Sequence, residues 1–303
     1  MTTNKAILAT MAYADVFDYP LTGEEIVQWR IGKSGKWKVE SGKWKKISKI
    51  KNKEAYCFFS GRSAIVGLRK QRMLWAVEKM NVAQRAATLL KIIPTIKLVG
   101  ITGALAMDNS HKDDDIDFYI VTEAKMLWTT RFLTTVLLEL VGLRRKPGDT
   151  SFRNKICLNM YASEDHLAVS LKERDLFAAH EVLQMKPLWQ REKMYTKFLS
   201  ANSWVKKFLP TAWEEKFQIS NFKFQIFRPS KILFAICHLP FIIAEPPLRW
   251  LQRWYMKKRK TLEVVSPTLI RFHPHDARVW VKAKLAVRLR RLNIPLDKIF
   301  YGR

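Results

Sequence analysis

Two stretches decide the fold of this chain: Val99-Gly100-Ile101-Thr102-Gly103-Ala104 and, ten residues further on, Asp115-Ile116-Asp117-Phe118-Tyr119-Ile120-Val121. Each contains an apolar run typical of a buried β-strand; the first ends in a glycine turn and the second begins with acidic residues. Since successive side chains of a strand point to opposite faces, Asp115 and Asp117 are predicted to share one face. The pattern therefore predicts two connected strands with paired carboxylates at the start of the second.

The carboxylates and the glycine turn predict a site for a metal ion and a phosphate group. Mg²⁺ binds oxygen ligands and keeps positions for water and substrate phosphates, so two neighbouring carboxylates suit it. A turn of glycine and a small residue exposes backbone N–H groups to which a phosphate can bind closely. The alternative interpretation is a solvated acidic turn, Asp113-Asp114-Asp115, that leads into a half-buried strand.

At these residues the chain resembles the nucleotidyltransferase superfamily of DNA polymerase β, whose pattern is a Gly-Gly or Gly-Ser turn followed by Asp-apolar-Asp/Glu-apolar. The resemblance implies that Asp115 and Asp117 are catalytic and hold the Mg²⁺ or Mn²⁺ ions that carry a nucleoside triphosphate. It also implies that Gly103 and Ala104 hold the phosphates. Lys112, in the loop between the two motifs, is predicted from its position to meet the triphosphate.

Two residues depart from the pattern of the family. Ala104 stands where the family usually has Ser, which removes a hydroxyl donor and leaves the backbone N–H. The third acid of the family lies on a later strand, and the strand predicted at 155–161 has Asn159 instead. An amide oxygen can bind a metal but cannot take a proton from an attacking hydroxyl. Asp113, predicted on the same strand face as the other two acids, is a candidate substitute.

The whole chain is predicted to be an α+β protein built around a nucleotidyltransferase-fold mixed sheet with helices. Its 303 residues exceed the roughly 100–200 residues of a typical domain, which favours two or three units. We expect a winged-helix-like module with a basic insertion at 1–75, a nucleotidyltransferase domain at 76–165 and a mainly helical C-terminal domain at 166–303. At Phe17-Asp18-Tyr19-Pro20-Leu21-Thr22 and Phe59-Ser60-Gly61-Arg62 this arrangement resembles predicted bacterial proteins that carry a nucleotidyltransferase domain behind such a module.

Local patterns predict the elements of these units. In the N-terminal module, Thr22 and Glu25 form a capping-box pattern that predicts the start of a helix. Arg144-Arg145-Lys146 is assigned to the end of the apolar helix before it, where cations are favoured, with contact to a phosphate as the alternative. Helical periodicity predicts helices at 4–17, 63–92, 127–143, 173–184, 189–198, 247–258 and 277–292. The apolar run at 232–244 is shorter than the roughly 20 residues of a membrane span, and burial in the core is favoured over a membrane-surface helix.

The charge of the chain indicates a polyanionic partner. Its 54 Lys and Arg residues outnumber 27 Asp and Glu residues, for a net charge of +27, so nucleic acid is the first partner to consider. The repeat Ser34-Gly35-Lys36-Trp37-Lys38 and Ser41-Gly42-Lys43-Trp44-Lys45 interleaves aromatics with lysines, as nucleic-acid contacts do. The alternatives are a solvated loop for the repeat and solvated lysine-rich faces for the charge. A second repeat, at 216–219 and 223–226, predicts a strand pair or an inserted loop.

Three cysteines, Cys57, Cys157 and Cys237, are widely spaced and lie in apolar contexts, which argues against a disulfide framework or a zinc site. His273-Pro274-His275-Asp276 offers no further ligand at a known zinc spacing. The N-terminus lacks the apolar core of a signal peptide. These features favour the cytoplasm, with no membrane partner expected.

The sequence thus leads to two hypotheses. The first is a Mg²⁺-dependent nucleotidyltransferase that moves a nucleoside monophosphate from a nucleoside triphosphate to an unidentified hydroxyl acceptor. The second is a catalytically weak or inactive protein of the same fold that binds nucleic acid or nucleotide, which Ala104 and Asn159 favour. Fold resemblance does not identify the acceptor.

Overall fold

The computed structural model describes residues 2–32, 47–220, 231–257, 264–271 and 277–301. The N-terminal part is a three-stranded antiparallel sheet, in the order β1-β3-β2, that packs with three helices. Its elements are α1 (Thr3–Asp15), β1 (Leu21–Thr22), α2 (Gly23–Gln28), β2 (Ile50–Lys53), β3 (Tyr56–Phe59) and α3 (Ala64–Leu90). The predicted helices at 4–17 and 63–92 are confirmed within a few residues at their ends.

The start of α2 is fixed by the predicted capping box. The backbone N–H of Thr22 donates to Glu25 Oε2 at 2.8 Å, and the backbone N–H of Glu25 donates to Thr22 Oγ1 at 3.2 Å. The carboxylate of Glu25 also accepts two hydrogen bonds of 2.7 Å from the guanidinium of Arg69 on α3. One side chain therefore caps α2 and ties it to the long helix α3.

A six-stranded mixed sheet forms the centre of the molecule, in the order β7-β4-β5-β6-β9-β8. Strands β5 and β6 are parallel, and every other neighbouring pair is antiparallel. The strands are β4 (Ile96–Ile101), β5 (Ile116–Thr122), β6 (Ile156–Ser163), β7 (Lys186–Gln190), β8 (Val264–Val265) and β9 (Leu269–Arg271). The predicted α+β class with a mixed sheet is confirmed.

Helices cover both faces of the central sheet. Leu98, Tyr119 and Val121 pack on one face with α1 and the C-terminal helices, and Val99 and Ile120 pack on the other with α3 and α5. Burial on both faces explains the continuous apolar runs of these strands. The helices after α3 are α4 (Gly103–Ala106), α5 (Leu127–Leu140), α6 (Leu176–Gln184), α7 (Met194–Ala201), α8 (Pro210–Ser220), α9 (Lys231–Lys257), α10 (Ala277–Arg291) and α11 (Leu296–Phe300).

The C-terminal region is mainly helical, but the helix predicted at 189–198 was wrong in its first part. Residues 186–190 form β7, an edge strand paired with β4, and the helix begins at Met194. Strands β8 and β9 extend the other edge. Helical periodicity could not reveal the strand at 186–190, because this strand forms only by pairing with β4, which lies far away in the sequence.

One predicted domain boundary and several predicted segments can also be compared with the structure. The boundary predicted at 75 falls inside α3, which is one continuous helix of 27 residues. Residues 216–219 belong to α8, so a strand was the wrong prediction there. The second copy at 223–226, the repeat at 34–45 and the segment 273–276 lie outside the described residues.

The apolar run at 232–244 lies in α9, and core burial was the wrong prediction for its described side chains. Leu239, Ile242 and Ile243 are each more than half exposed. Within the ranges that the structure describes, none of the helices has the length and apolarity that crossing a bilayer requires.

His180 on α6 joins the N-terminal part to the C-terminal helices. Its ring stacks on Tyr13 of α1 with centroids 3.8 Å apart, and Trp29 lies on it at 5.4 Å. Burial lowers the pKa of His180 from 6.5 to about 3, since a charged imidazolium would lose its hydration there. The folded chain therefore holds this ring in its neutral form at neutral pH.

The burial of His180 predicts a contribution to the free energy of unfolding that is lost in acid. The free energy of unfolding should fall as the pH drops below 6.5, because the unfolded chain then binds a proton that the folded chain excludes down to about pH 3. In urea unfolding, the stability advantage of wild type over His180→Gln should shrink by about 2 kcal/mol between about pH 7.5 and about pH 5. His166→Gln, at an exposed position, is the control. Parallel pH profiles for wild type and His180→Gln would contradict the assignment.

Candidate active site

A cleft of about 1380 Å³ opens where the central sheet meets α1, α6 and α10. Residues that were singled out in the sequence line it together: Gly103, Ala104, Asp115, Asp117 and Asn159. Within the described residues the fold thus brings the glycine turn, the paired acids and the amide of the later strand to one place.

The two acids lie at the start of β5. Asp115 immediately precedes the strand and Asp117 is its second residue. In the parallel pairing of β5 with β6, Asp117 lies beside Cys157. Ligand atoms of Asp115, Asp117 and Cys157 all lie within 4.8 Å of one another, which is close enough to share one metal ion. Proximity of the two carboxylates was predicted; the thiol was not.

Gly103 lies directly against Asp117. Its φ of +64° is in the left-handed region, and a Cβ at this position would lie 2.9 Å from Asp117 Oδ2. The backbone N–H of Thr102 donates to the carbonyl of Asp117 at 3.1 Å. Both the backbone conformation and the close approach therefore require glycine. Ala104, the next residue, is exposed on the cleft.

Asn159 of β6 has the properties of a ligand with an open position. Its side chain is 8% exposed, and Nδ2 donates to Asp117 Oδ1 at 2.7 Å. Its amide oxygen is buried and has no hydrogen-bond partner among the residues that the structure describes. A buried acceptor without a partner costs about 1–3 kcal/mol, which a bound cation or water would offset.

Arg145 pairs with one of the two acids. Its guanidinium forms an ion pair with Asp115 and lies 3.8 Å from Cys157 Sγ. The assignment of this residue to a helix end was wrong, because α5 ends at Leu140 and the Arg145 N–H donates to Ile156 of β6. The segment after α5 runs beside β6 and so carries Arg145 into the cleft.

The electrostatics of the site follow from burial and crowding of acids. Burial, the neighbouring Asp115 and then Glu181 raise the pKa of Asp117, and Arg145 partly opposes them. Burial raises the pKa of the Cys157 thiol, so this group is protonated at neutral pH. On α6, burial raises the pKa of Glu181 to about 7. The cleft thus holds carboxyl groups that a bound cation would stabilise in their charged form.

Helix α3 holds the acidic loop in position. The Lys79 ammonium donates to the carbonyl oxygens of Lys112 and Asp114, at 3.1 and 2.5 Å, and to Asn154 Oδ1 at 3.2 Å. These bonds join the loop before β5 to the turn before β6. The relative position of the two strand starts therefore depends on a buried lysine.

Two predicted site residues lie elsewhere. Lys112 is exposed and is not among the residues that line the cleft. Asp113 is also exposed, in the turn before β5. Because β5 begins at Ile116, Asp113 does not continue the strand face of Asp115 and Asp117. Asn159, and not Asp113, contacts these acids, through the hydrogen bond from its amide nitrogen to Asp117.

Two further residues of the cleft, Cys157 and Glu181, were not predicted, and for Arg145 a phosphate contact was only the alternative to the predicted helix end. The predicted strand at 155–161 already placed Cys157 two residues from Asn159, so strand periodicity carried a signal for the thiol. No local pattern marks Glu181, which reaches the cleft only through the packing of α6.

Comparisons with protein-family models, with curated proteins and with solved structures give no match to this chain.

Substitution of Gly103 tests the close approach to Asp117. Gly103→Ala should lower the free energy of unfolding by at least ~2 kcal/mol, because the left-handed backbone and the contact with Asp117 both oppose a side chain. Gly142→Ala is the matched control, since Gly142 has a φ of +67° and open space around it. This control should cost about 1 kcal/mol. Equal losses in denaturant unfolding would show that the contact with Asp117 has no energetic weight.

Proposed function

We propose that the protein is a Mg²⁺-dependent nucleotidyltransferase that transfers a nucleoside monophosphate from a nucleoside triphosphate to a hydroxyl acceptor. The observation that carries the proposal is the meeting of Asp115, Asp117 and the Gly103 turn in one cleft with Asn159, whose amide oxygen is unpartnered within the described part of the chain. The mixed sheet with helices is compatible with the nucleotidyltransferase fold that the sequence resembles. The three-stranded N-terminal part is likewise compatible with a winged-helix-like module.

The donor atoms in the cleft fit Mg²⁺ or Mn²⁺. Carboxylate oxygens of Asp115 and Asp117 and the amide oxygen of Asn159 are hard ligands of the kind these ions prefer. The protonated thiol of Cys157 is a poor ligand for them. A bound ion would neutralise phosphate charge and orient the reacting groups.

The other residues of the cleft supply charge and backbone donors for a triphosphate. The backbone at Gly103 and Ala104 is open to the cleft, and Arg144, Arg145 and Lys146 line it with positive charge. Entry of a metal–triphosphate complex would let Arg145 exchange the Asp115 carboxylate for a phosphate, since guanidinium groups bind both.

A proton acceptor for the attacking hydroxyl is needed as well. Asn159 cannot serve as the acceptor, because a neutral amide does not take up a proton at neutral pH. Glu181 lines the same cleft and has a pKa of about 7, near the value that suits a general base at neutral pH. In this proposal Glu181 takes the role.

A second candidate function is binding of nucleotide or nucleic acid without turnover. Two contacts favour it: the ion pair of Arg145 with Asp115 and the hydrogen bond from Asn159 to Asp117 satisfy both carboxylates with protein groups alone. A net charge of +27 would favour nucleic acid as the ligand. Binding and turnover can be separated experimentally.

Nucleotide binding is tested by thermal and denaturant unfolding with each nucleoside triphosphate, with and without Mg²⁺. At one hundred times its dissociation constant a ligand should stabilise wild type by about 2.7 kcal/mol, and only when Mg²⁺ is present. Asp115→Asn/Asp117→Asn should lose this effect. Asp113→Asn/Asp165→Asn makes the same charge change at two exposed carboxylates and should retain it. Absence of any nucleotide effect on wild type would overturn the proposal.

Nucleic-acid binding is tested by titration at several salt concentrations. If the basic surface carries the binding, the logarithm of the affinity should fall linearly with the logarithm of salt concentration. Asp115→Asn should leave this affinity unchanged, because the contact lies away from the acids. Affinity for single- or double-stranded nucleic acid together with no release of pyrophosphate from any triphosphate would favour the second function.

A further inference from the structure

Helix α9 turns its polar side chains toward the protein. The carboxylate of Glu245 accepts hydrogen bonds from the backbone N–H groups of Trp128 and Thr129, at 3.0 and 2.7 Å, in the first turn of α5. Gln252 accepts from Arg131 Nη1 at 2.5 Å and donates to the carbonyl of Trp128 at 2.8 Å. These bonds fix which side of α9 faces α5.

The opposite side of α9 is apolar and exposed. Leu239, Ile243, Trp250 and Trp254 are 59%, 67%, 70% and 60% exposed. Their spacing of four, seven and four residues places them in one stripe along the helix, about 22 Å long at 1.5 Å per residue. A surface helix of a globular protein ordinarily has the reverse orientation, with apolar residues inward and polar residues outward.

Basic residues flank the apolar stripe. Arg249, Arg253 and Lys257 are exposed on the C-terminal half of α9. The one acidic residue between 231 and 257 is Glu245, whose carboxylate is bonded to α5. The exposed side of the described part of α9 therefore combines tryptophans, aliphatic side chains and cations.

We propose that α9 docks on an anionic lipid surface, lying parallel to it with the stripe at the boundary between headgroups and acyl chains. Tryptophans concentrate at that boundary, and cations beside an apolar face add attraction to lipid phosphates. Because α9 is held on α5 by the bonds of Glu245 and Gln252, the helix presents its stripe already formed. The proposal is independent of nucleotidyl transfer.

Charge favours a lipid surface over a second copy of the chain. Two copies that met through this face would bring their arginines and lysines together, and each copy carries a net charge of +27. An anionic bilayer instead covers the stripe and compensates the cations.

Binding to vesicles of phosphatidylcholine with phosphatidylglycerol, compared with phosphatidylcholine alone, tests the proposal. Wild type should sediment with the anionic vesicles. Trp250→Ser/Trp254→Ser should reduce the affinity about tenfold or more, and Arg249→Glu/Arg253→Glu should do the same. The affected side chains are exposed, so circular dichroism and unfolding should match wild type.

Matched variants separate the helix from the general basic charge of the protein. Leu74→Ser/Val77→Ser removes exposed apolar side chains from α3, and Arg290→Glu/Arg291→Glu reverses two exposed charges on α10. Both should bind vesicles more tightly than the corresponding α9 variants. If Trp250→Ser/Trp254→Ser binds as tightly as wild type, α9 does not enter the interface and the proposal is overturned.

Two measurements identify the occupant of the stripe. Brominated lipids should quench part of the tryptophan fluorescence of wild type, and the quenched part should disappear in Trp250→Ser/Trp254→Ser. Sedimentation velocity without lipid should show no self-association that depends on these tryptophans. Self-association that this variant abolishes, with no quenching by brominated lipid, would identify a second copy and overturn the proposal.

Discussion

The arrangement of the cleft depends on the close approach of Gly103 to Asp117. A side chain at 103 would collide with the carboxylate, and the left-handed backbone of the turn already disfavours one. This contact brings the end of β4 and the start of β5 together, while the parallel pairing of β5 with β6 adds Cys157 and, two residues on, Asn159. The Gly103 turn and the neighbouring strands β5 and β6 therefore position every candidate ligand of the site.

Buried cations on α3 connect this site to the rest of the molecule. Arg69 binds the capping carboxylate of Glu25, and Lys79 binds the loop that carries the acids. Between them, Arg72 donates to the carbonyl of Phe17 and to Asn109 Oδ1, both at 3.0 Å. One face of a single helix thus satisfies polar groups from the N-terminal part and from the site loop. Burial of such charges is tolerated because each has several hydrogen-bond partners.

Helix α9 borders both the cleft and the solvent. Met256 lines the cleft, whereas Trp254, two residues earlier, is exposed on the opposite side. If α9 lies on a lipid surface and the cleft transfers nucleotides, the reaction would take place close to that surface. The fold places the cleft and the exposed side of α9 close together, whereas nucleotide transfer and lipid binding do not depend on each other.

The sequence by itself determined the α+β class, the pairing of the glycine turn with the two acids, the capping box at Thr22 and most helices, because these features depend on local periodicity and hydrogen bonding. Tertiary structure alone decided that residues 186–190 form an edge strand, that Glu181 reaches the cleft, and that α9 turns its apolar side outward. Each of these depends on a partner far away in the chain: the free edge of β4, the packing of α6, or the first turn of α5. Local patterns carry no information about such partners, so an apolar helix can be predicted as core and yet present its apolar side to the outside.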